Sequence, residues 1–221
     1  AVMPEILVAV REACADALAL LLPVSCAGCD EPDVALCERC ALALAPDPRG
    51  QLIEAPGGPV AVWSGLAFEG VAARVLRAIK EEGRTSLAEA LAPALAAALA
   101  HAGAGDAVLV PLPTSRPSYR RRGYRVPDLL VRRVGRRPSR LLRYARRTGD
   151  QRGLDRDARA RNVAQSLVAT GGAGQRVVVV DDVVTTGASL SEAVRALRAG
   201  GAEVVAAVTV AATPRRRGTR R

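Results

Sequence analysis

The stretch Val177–Ser189, reading Val-Val-Val-Val-Asp-Asp-Val-Val-Thr-Thr-Gly-Ala-Ser, most constrains what this chain can become. Four consecutive Val residues predict a strand buried on both faces, as the central strands of a parallel sheet are. Asp181 and Asp182 are expected where that strand ends. Thr185, Thr186, Gly187, Ala188 and Ser189 make a loop of small and hydroxyl residues, and Leu190 to Ala199 reads as a helix. Ligands of open α/β sheets bind at the carboxyl ends of strands. A helix start offers free N–H groups and the positive end of a dipole. The stretch therefore describes a site for a phosphate on one side and for hydroxyls or a metal on the other. Ser189-x-x-Glu192 also fits a capping box.

The other segments fit a layered α/β domain. Val60 to Phe68 and Glu203 to Ala211 read as strands, with short ones at Ala107 to Val110 and Leu141 to Tyr144. Helices are expected over 71–81, over the Ala-rich 85–100, where Pro93 either kinks the helix or starts a second one, and over 126–134. Only 2% of the 221 residues are aromatic, so the core must be Ala, Val and Leu. No secretory leader is expected, because Glu5, Arg11, Glu12 and Asp16 interrupt any apolar run near the start. The longest apolar run, 88–100, is too short to span a bilayer. A reducing, cytoplasmic setting is the expectation.

Cys26-x2-Cys29-x7-Cys37-x2-Cys40 is a second strong signal. Each Cys-x2-Cys knuckle presents two thiolates from one turn, and two knuckles complete a tetrahedron around structural Zn²⁺. Two disulfides or an iron–sulfur cluster are the competing readings. Cys14 falls on the apolar face of an amphipathic helix expected over 4–22 and reads as a core residue. The expected organisation is that helix within 1–22, a four-Cys zinc finger over 23–45, a Pro- and Gly-rich linker over 46–59, an α/β domain over 60–213 and a basic tail over 214–221.

Charge is concentrated. Residues 116–161 hold 17 Arg against 4 Asp, more than the whole chain's net +10, so the rest is slightly acidic. Such a block suits a pyrophosphate-bearing substrate or nucleic acid, or is a solvated basic face. Only Tyr119, Tyr124 and Tyr144 lie within it, few for base stacking. Lys80 is the only lysine beside 31 Arg, a compact ammonium where the chain otherwise uses guanidinium. His101 reads as a surface cap without a catalytic role.

The segment Val179–Ser189 resembles the phosphoribosyl-pyrophosphate motif of type I phosphoribosyltransferases. The order of motifs around it resembles the ComF family. The four-Cys finger comes first, then the 68–80 segment ending in Lys80, then Val110-Pro111-Leu112-Pro113. Arg122-Gly123-Tyr124, Thr148 to Gln151, and Arg159-x-x-Asn162 follow. The resemblance implies an open, mostly parallel sheet flanked by helices, plus the small finger. It implies that Asp181 and Asp182 bind ribose hydroxyls and that Thr185, Thr186, Gly187, Ala188 and Ser189 bind the 5′-phosphate. Pro111 to Thr114, with Pro113 and Thr114 nearest the ligand, would form the pyrophosphate loop. Arg122 would belong to a flap over the site, with Lys80 near the pyrophosphate and Mg²⁺ as cofactor.

Two positions depart from the pattern. Arg125 and Val126 stand where family members usually have Asn-Gln, and Thr185 stands where some phosphoribosyltransferases carry a third acid. The implied activity is transfer of a phosphoribosyl group to an acceptor the sequence does not name, a glycosyltransferase-class reaction. The alternative implied role is non-catalytic, in DNA uptake (competence), with single-stranded DNA or a helicase as partner.

Overall fold

The computed structural model describes residues 24–145 and 166–214. The helix expected over 4–22 with Cys14, the 148–162 segment with Gln151, Arg159 and Asn162, and the tail from 215 lie outside the described residues.

A five-stranded sheet has the order β1 (Arg49–Ile53), β2 (Val60–Ala67), β7 (Glu203–Ala212), β6 (Arg176–Val184), β3 (Val108–Pro111). Only the β1–β2 pair is antiparallel; β2–β7, β7–β6 and β6–β3 are parallel. The valine run forms the middle of β6, and Val177 to Val180 are fully buried. Successive side chains of a strand point to opposite faces. Accordingly Val178 and Val180 pack with Val208, Val210 and the helices α2 (Gly70–Arg77), α3 (Ala88–His101) and α5 (Val126–Arg133). Val177 and Val179 pack on the other face with α6 (Ala188–Ala199) and with Leu142 and Leu167. The last two belong to a separate antiparallel pair, β4 (Leu142–Tyr144) and β5 (Leu167–Ala169). Each fully buried Val contributes about 1.5–3 kcal/mol over an exposed one.

Small residues let these layers approach closely. A Cβ on Gly65 in β2 would lie 2.1 Å from the carbonyl oxygen of Ala94, so α3 rides directly on the strand. Pro93 does not start a new helix: it sits exposed within one continuous helix. The helix expected over 71–81 ends as an α-helix at Arg77 and widens into a π-turn, Ala78–Glu82, which carries Lys80.

Within the 46–59 stretch expected as linker, Arg49–Ile53 is β1, paired residue for residue with β2. That segment is sheet rather than spacer. Pro46, Pro48 and the turn around Gly57 and Gly58 obscured the five residues between them, of which only Ile53 is buried. The arginine block likewise contains an unanticipated helix, α4 (Arg116–Arg122), with no buried residue and hence no apolar stripe to reveal it. Its start is capped by Ser115, whose Oγ accepts from the Ser118 N–H at 3.4 Å.

No helix among the described residues is long and apolar enough to cross a membrane.

Candidate functional site

The chain leaves β3 toward α4 and α5 on one face and leaves β6 toward α6 on the other. Adjacent parallel strands whose connections diverge in this way open a crevice beyond their carboxyl ends. The sequence-predicted site residues come together there. Leu112 donates its N–H to Val180 O at 2.8 Å, extending the ladder one residue past β3. This sets Pro113 and Thr114, both partly exposed, beside the end of β6.

Asp181 and Asp182 are not beyond the strand but within it, since β6 runs on to Val184. Pairing with β7 holds the backbone extended, with Asp181 opposite Thr209. Adjacent strand positions face opposite ways. Asp182 lies on the face of α2, where Lys80 Nζ donates to its Oδ1 at 2.7 Å. Asp181 lies on the face of α6, β4 and β5. Its Oδ1 accepts the N–H of Asp182 at 2.9 Å. Ser64 and Thr209, in register with each other and buried, join their hydroxyls at 2.7 Å beside it.

The two carboxyls are thus unequal. Burial, reinforced by the negative charge of Asp182, pushes the Asp181 carboxyl up to about 8; the Asp182 N–H and Lys80 pull the other way less strongly. Two adjacent carboxylates in a half-buried place cannot both ionise cheaply, and only Asp182 has an ammonium in contact.

After the strand, Thr185 and Thr186 are exposed and Gly187 turns the chain at φ +83°, a left-handed conformation that favours glycine. A Cβ there would also meet Ile53 at 2.8 Å. No side chain caps α6 at this N-cap. The expected capping box does not form, because Gly187 takes the cap position and Ser189 falls inside the helix. Glu192 turns instead to β5, where its Oε1 accepts the Leu167 N–H at 2.9 Å, and to Arg195 at 2.7 Å. At the exposed helix start the Ala188 N–H donates to Thr186 Oγ1 at 3.4 Å.

Arg122 does not reach either carboxylate. It lines a cavity of about 190 Å³ together with Lys80, Glu81, Glu82, Gly83, Arg121 and Tyr124. Tyr124 donates its hydroxyl to Ile79 O, which ties the end of α4 to the π-turn. The Nε atoms of Arg122 and Arg125 are buried without a hydrogen-bond partner among the described residues. The Arg125 guanidinium lies 5.2 Å from the Tyr119 ring centre, a cation–π contact. His101 is exposed, as expected of a surface cap, and its ring lies tilted against Trp63.

The second cluster is the cysteine module. The Sγ atoms of Cys26, Cys29, Cys37 and Cys40 all lie within 4.8 Å of one another, and no disulfide joins them. Tetrahedral Zn–S bonds of about 2.3 Å require sulfurs roughly this close, so the set can hold a metal ion such as zinc. Burial raises the Cys26 thiol, but N–H groups of Cys37 and Gly28 directed at its sulfur outweigh this and hold it at about 6. Burial pushes Cys40 up to about 12. The module is fastened to the sheet domain by Arg84, whose Nη2 donates to the carbonyls of Ser25 and Ala35 at 2.8 Å each, and by an Arg74–Asp30 ion pair.

Two measurements follow from these geometries. Metal analysis of freshly purified protein should find stoichiometric zinc, which Cys40→Ser removes together with a drop in melting temperature; protein purified without metal would overturn the assignment. For Asp181, a folded-state value near 8 against an ordinary one of 3.8 means the folded chain holds this proton more tightly than the unfolded chain. The resulting stability is fully present below pH 3.8 and is lost as pH rises through 8. Without Mg²⁺ or ligand, Asp181→Asn should therefore melt higher than wild type at pH 8.5, with the gap closing toward pH 4. An equal gap at both pH values would contradict the burial argument.

The model for the phosphoribosyl transferase domain matches residues 121–221. An orotate phosphoribosyltransferase of Bartonella tribocorum (strain CIP 105476 / IBS 506) is 57% identical over 37 residues, 17% of this chain. The match spans 19% of that protein's length. Residues 121–221, which include the acidic pair, the Thr185–Ser189 loop and α6, are thus similar to a phosphoribosyl transferase domain.

Proposed function

We propose that the crevice at the end of β6 binds phosphoribosyl pyrophosphate and that the chain is a ComF-type phosphoribosyltransferase-like protein. In this reading the cysteine module and the sheet domain that follows form one cytoplasmic protein. The observation that carries the reading is the run from Asp181 and Asp182 into a glycine turn and a helix start without a side-chain cap. The phosphate takes backbone N–H groups of Thr185 to Ser189, with Thr186 Oγ1 releasing that of Ala188, and the hydroxyls of Thr185, Thr186 and Ser189. Asp181 and Asp182 accept from the two ribose hydroxyls. Lys80 holds Asp182 in place before the ligand arrives, and its ammonium then stands near the pyrophosphate.

The oxygen donors of the acidic pair suit a hard cation such as Mg²⁺, which would supply charge neutralisation to a pyrophosphate leaving group. Arg122, across the shared cavity from Lys80, adds positive charge on the same side. In transfer, the bond from the anomeric carbon to pyrophosphate breaks with its electron pair leaving on pyrophosphate, and the acceptor's lone pair forms the new bond. The protein's share is positioning and charge stabilisation. Thr185 stands where some phosphoribosyltransferases have an acid, so an acceptor that must lose a proton gives it to solvent or to the departing pyrophosphate.

Calorimetry with phosphoribosyl pyrophosphate and Mg²⁺ tests the reading. Wild type should bind, and Asp181→Asn or Asp182→Asn should each weaken binding by about tenfold or more, through loss of a carboxyl partner for a ribose hydroxyl. No binding by wild type would remove the proposal. Binding without pyrophosphate release across a panel of acceptors would leave a binding module rather than an enzyme.

One observation favours a second role in handling single-stranded DNA, alone or with a helicase partner. Helix α4 buries nothing and presents Arg116, Arg120 and Arg121 to solvent alongside a 44% exposed Tyr119. A basic helix with an aromatic face suits a sugar–phosphate chain with stacked bases. Fluorescence anisotropy with a labelled oligonucleotide should then show salt-dependent binding, with a shallower salt slope in Arg120→Ala/Arg121→Ala. Binding unaffected by these substitutions would place any DNA contact elsewhere.

A further inference from the structure

A single side chain joins the cysteine module to the turn that carries Lys80. Arg84 Nη2 donates to Ser25 O and to Ala35 O, at 2.8 Å each. Ser25 precedes Cys26, and Ala35 stands two residues before Cys37, so one nitrogen spans the lead-in to both knuckles. The closed module brings those carbonyls together. Ala27 donates its N–H to the same Ala35 O at 3.0 Å, and the Cys37 N–H points at Cys26 Sγ at 3.3 Å. Helix α1 (Glu38–Leu42) sets Cys40 among the other three sulfurs. So short a module has little core of its own, and a metal held by its four sulfurs would supply the closure.

The backbone of Arg84 holds the other end. Its N–H donates to Ala78 O at 3.3 Å, across the π-turn Ala78–Glu82. Ala78 and Ile79 are buried, so the core pins the start of the turn and Arg84 pins its close. Lys80 comes next after Ile79, with its ammonium 2.7 Å from Asp182 Oδ1. Other contacts also reach the module: Val71 packs against the cysteines, and Arg74 pairs with Asp30. Neither residue belongs to the turn, and the Arg74 side chain is 44% exposed against 22% for Arg84.

We infer that Arg84 is a positioning residue that couples the two sites: Zn²⁺ in the cysteine module tightens the binding of phosphoribosyl pyrophosphate by keeping Lys80 on Asp182, and the ligand in turn tightens the hold on Zn²⁺. The inference rests on the phosphoribosyl reading above and adds a regulation to it. Two arrangements are in balance. In the first, the knuckles are closed, Arg84 bridges their carbonyls, and the π-turn presents Lys80 to Asp182. In the second, open knuckles separate the two carbonyls and Arg84 lets go. The turn then relaxes to the commoner α-helical bonding, four residues apart rather than five, and Lys80 rotates off Asp182. Zn²⁺ favours the first arrangement because only closed knuckles offer four sulfurs together. The ligand favours it because only there does the ammonium face the pyrophosphate. Two ligands that prefer the same state raise each other's affinity by the same factor.

Competition with a chromophoric chelator measures the Kd for Zn²⁺ on the full chain, with Mg²⁺ present throughout and with or without phosphoribosyl pyrophosphate. The proteins are wild type, Arg84→Ala, Arg84→Gln and Arg74→Ala, all at one ligand concentration, so zinc taken up by the ligand itself enters every comparison alike. Wild type should hold Zn²⁺ about fivefold or more tighter with the ligand than without it. Both Arg84 variants should still bind Zn²⁺ but show no such gain, and Arg74→Ala should keep it. Wild type that binds the ligand by calorimetry yet holds Zn²⁺ no tighter overturns the inference alone, and needs no variant to do so. A full gain in either Arg84 variant overturns it, as does a gain lost in Arg74→Ala, which would spread the coupling over the whole contact. Loss of all Zn²⁺ binding in both Arg84 variants also overturns it, showing a structural role. Wild type that does not bind phosphoribosyl pyrophosphate removes the phosphoribosyl reading and this inference together.

Discussion

The ion pair between Lys80 and Asp182 is the interaction on which the site depends. Extending a buried valine strand into two consecutive carboxyls brings negative charge to the edge of the core, where solvation is incomplete. One of the two is matched by an ammonium at 2.7 Å, and the other is left to hold a proton up to about pH 8. Without Lys80 both carboxyls would face the same penalty, and the end of β6 would be the least comfortable place in the sheet. A π-turn rather than a continued α-helix carries the lysine. π-bulges inside helices occur often at functional sites, and here the wider turn ends at Gly83, in a left-handed conformation at φ +76°.

The same turn receives the rest of the basic machinery. Tyr124 fastens the α4–α5 joint to Ile79, next to Lys80, so the arginines of α4 are held beside the acidic pair without touching it. Arg84, just after the turn, grips two carbonyls of the cysteine module. One short segment, 78–84, therefore links Asp182, the arginine helix and the cysteine knuckles. The module's position is tied by these bonds to the site rather than to a flexible spacer, which fits the finding that residues 49–53 belong to the sheet.

How much of this the residues announced varies with the kind of signal. Val177–Val180 and the two cysteine knuckles were legible because burial on two faces and tetrahedral ligation each demand a local pattern that little else produces. The strand at 49–53 was not, since an edge strand with only Ile53 buried leaves no alternation to see. Helix α4 was hidden for a related reason: a helix that buries nothing carries no apolar stripe. Glu192 misled because its spacing from Ser189 satisfies a local rule, while its actual partner, Leu167, is 25 residues away in sequence. Tyr144 was expected at the end of a short strand and is found there, but its nearness to Asp181 was not legible, since it exists only through the packing of β4 against α6.

Helix α6 explains why the separate pieces act as one site. Its start faces the crevice without a side-chain cap, its second turn clamps β5 through Glu192 and Arg195, and Ser191 and Arg198 reach the carbonyls of Glu54, Pro56 and Gly58 after β1. A helix end that lacks a capping side chain forgoes about 1 kcal/mol of local stability. Here the helix is secured along its length by bonds to two other elements, so its first turn need not be satisfied by the chain itself. That division, an anchored body and an N-cap without a capping side chain, fixes the helix against both the acidic strand and the β4–β5 pair while its first turn stays exposed at the crevice.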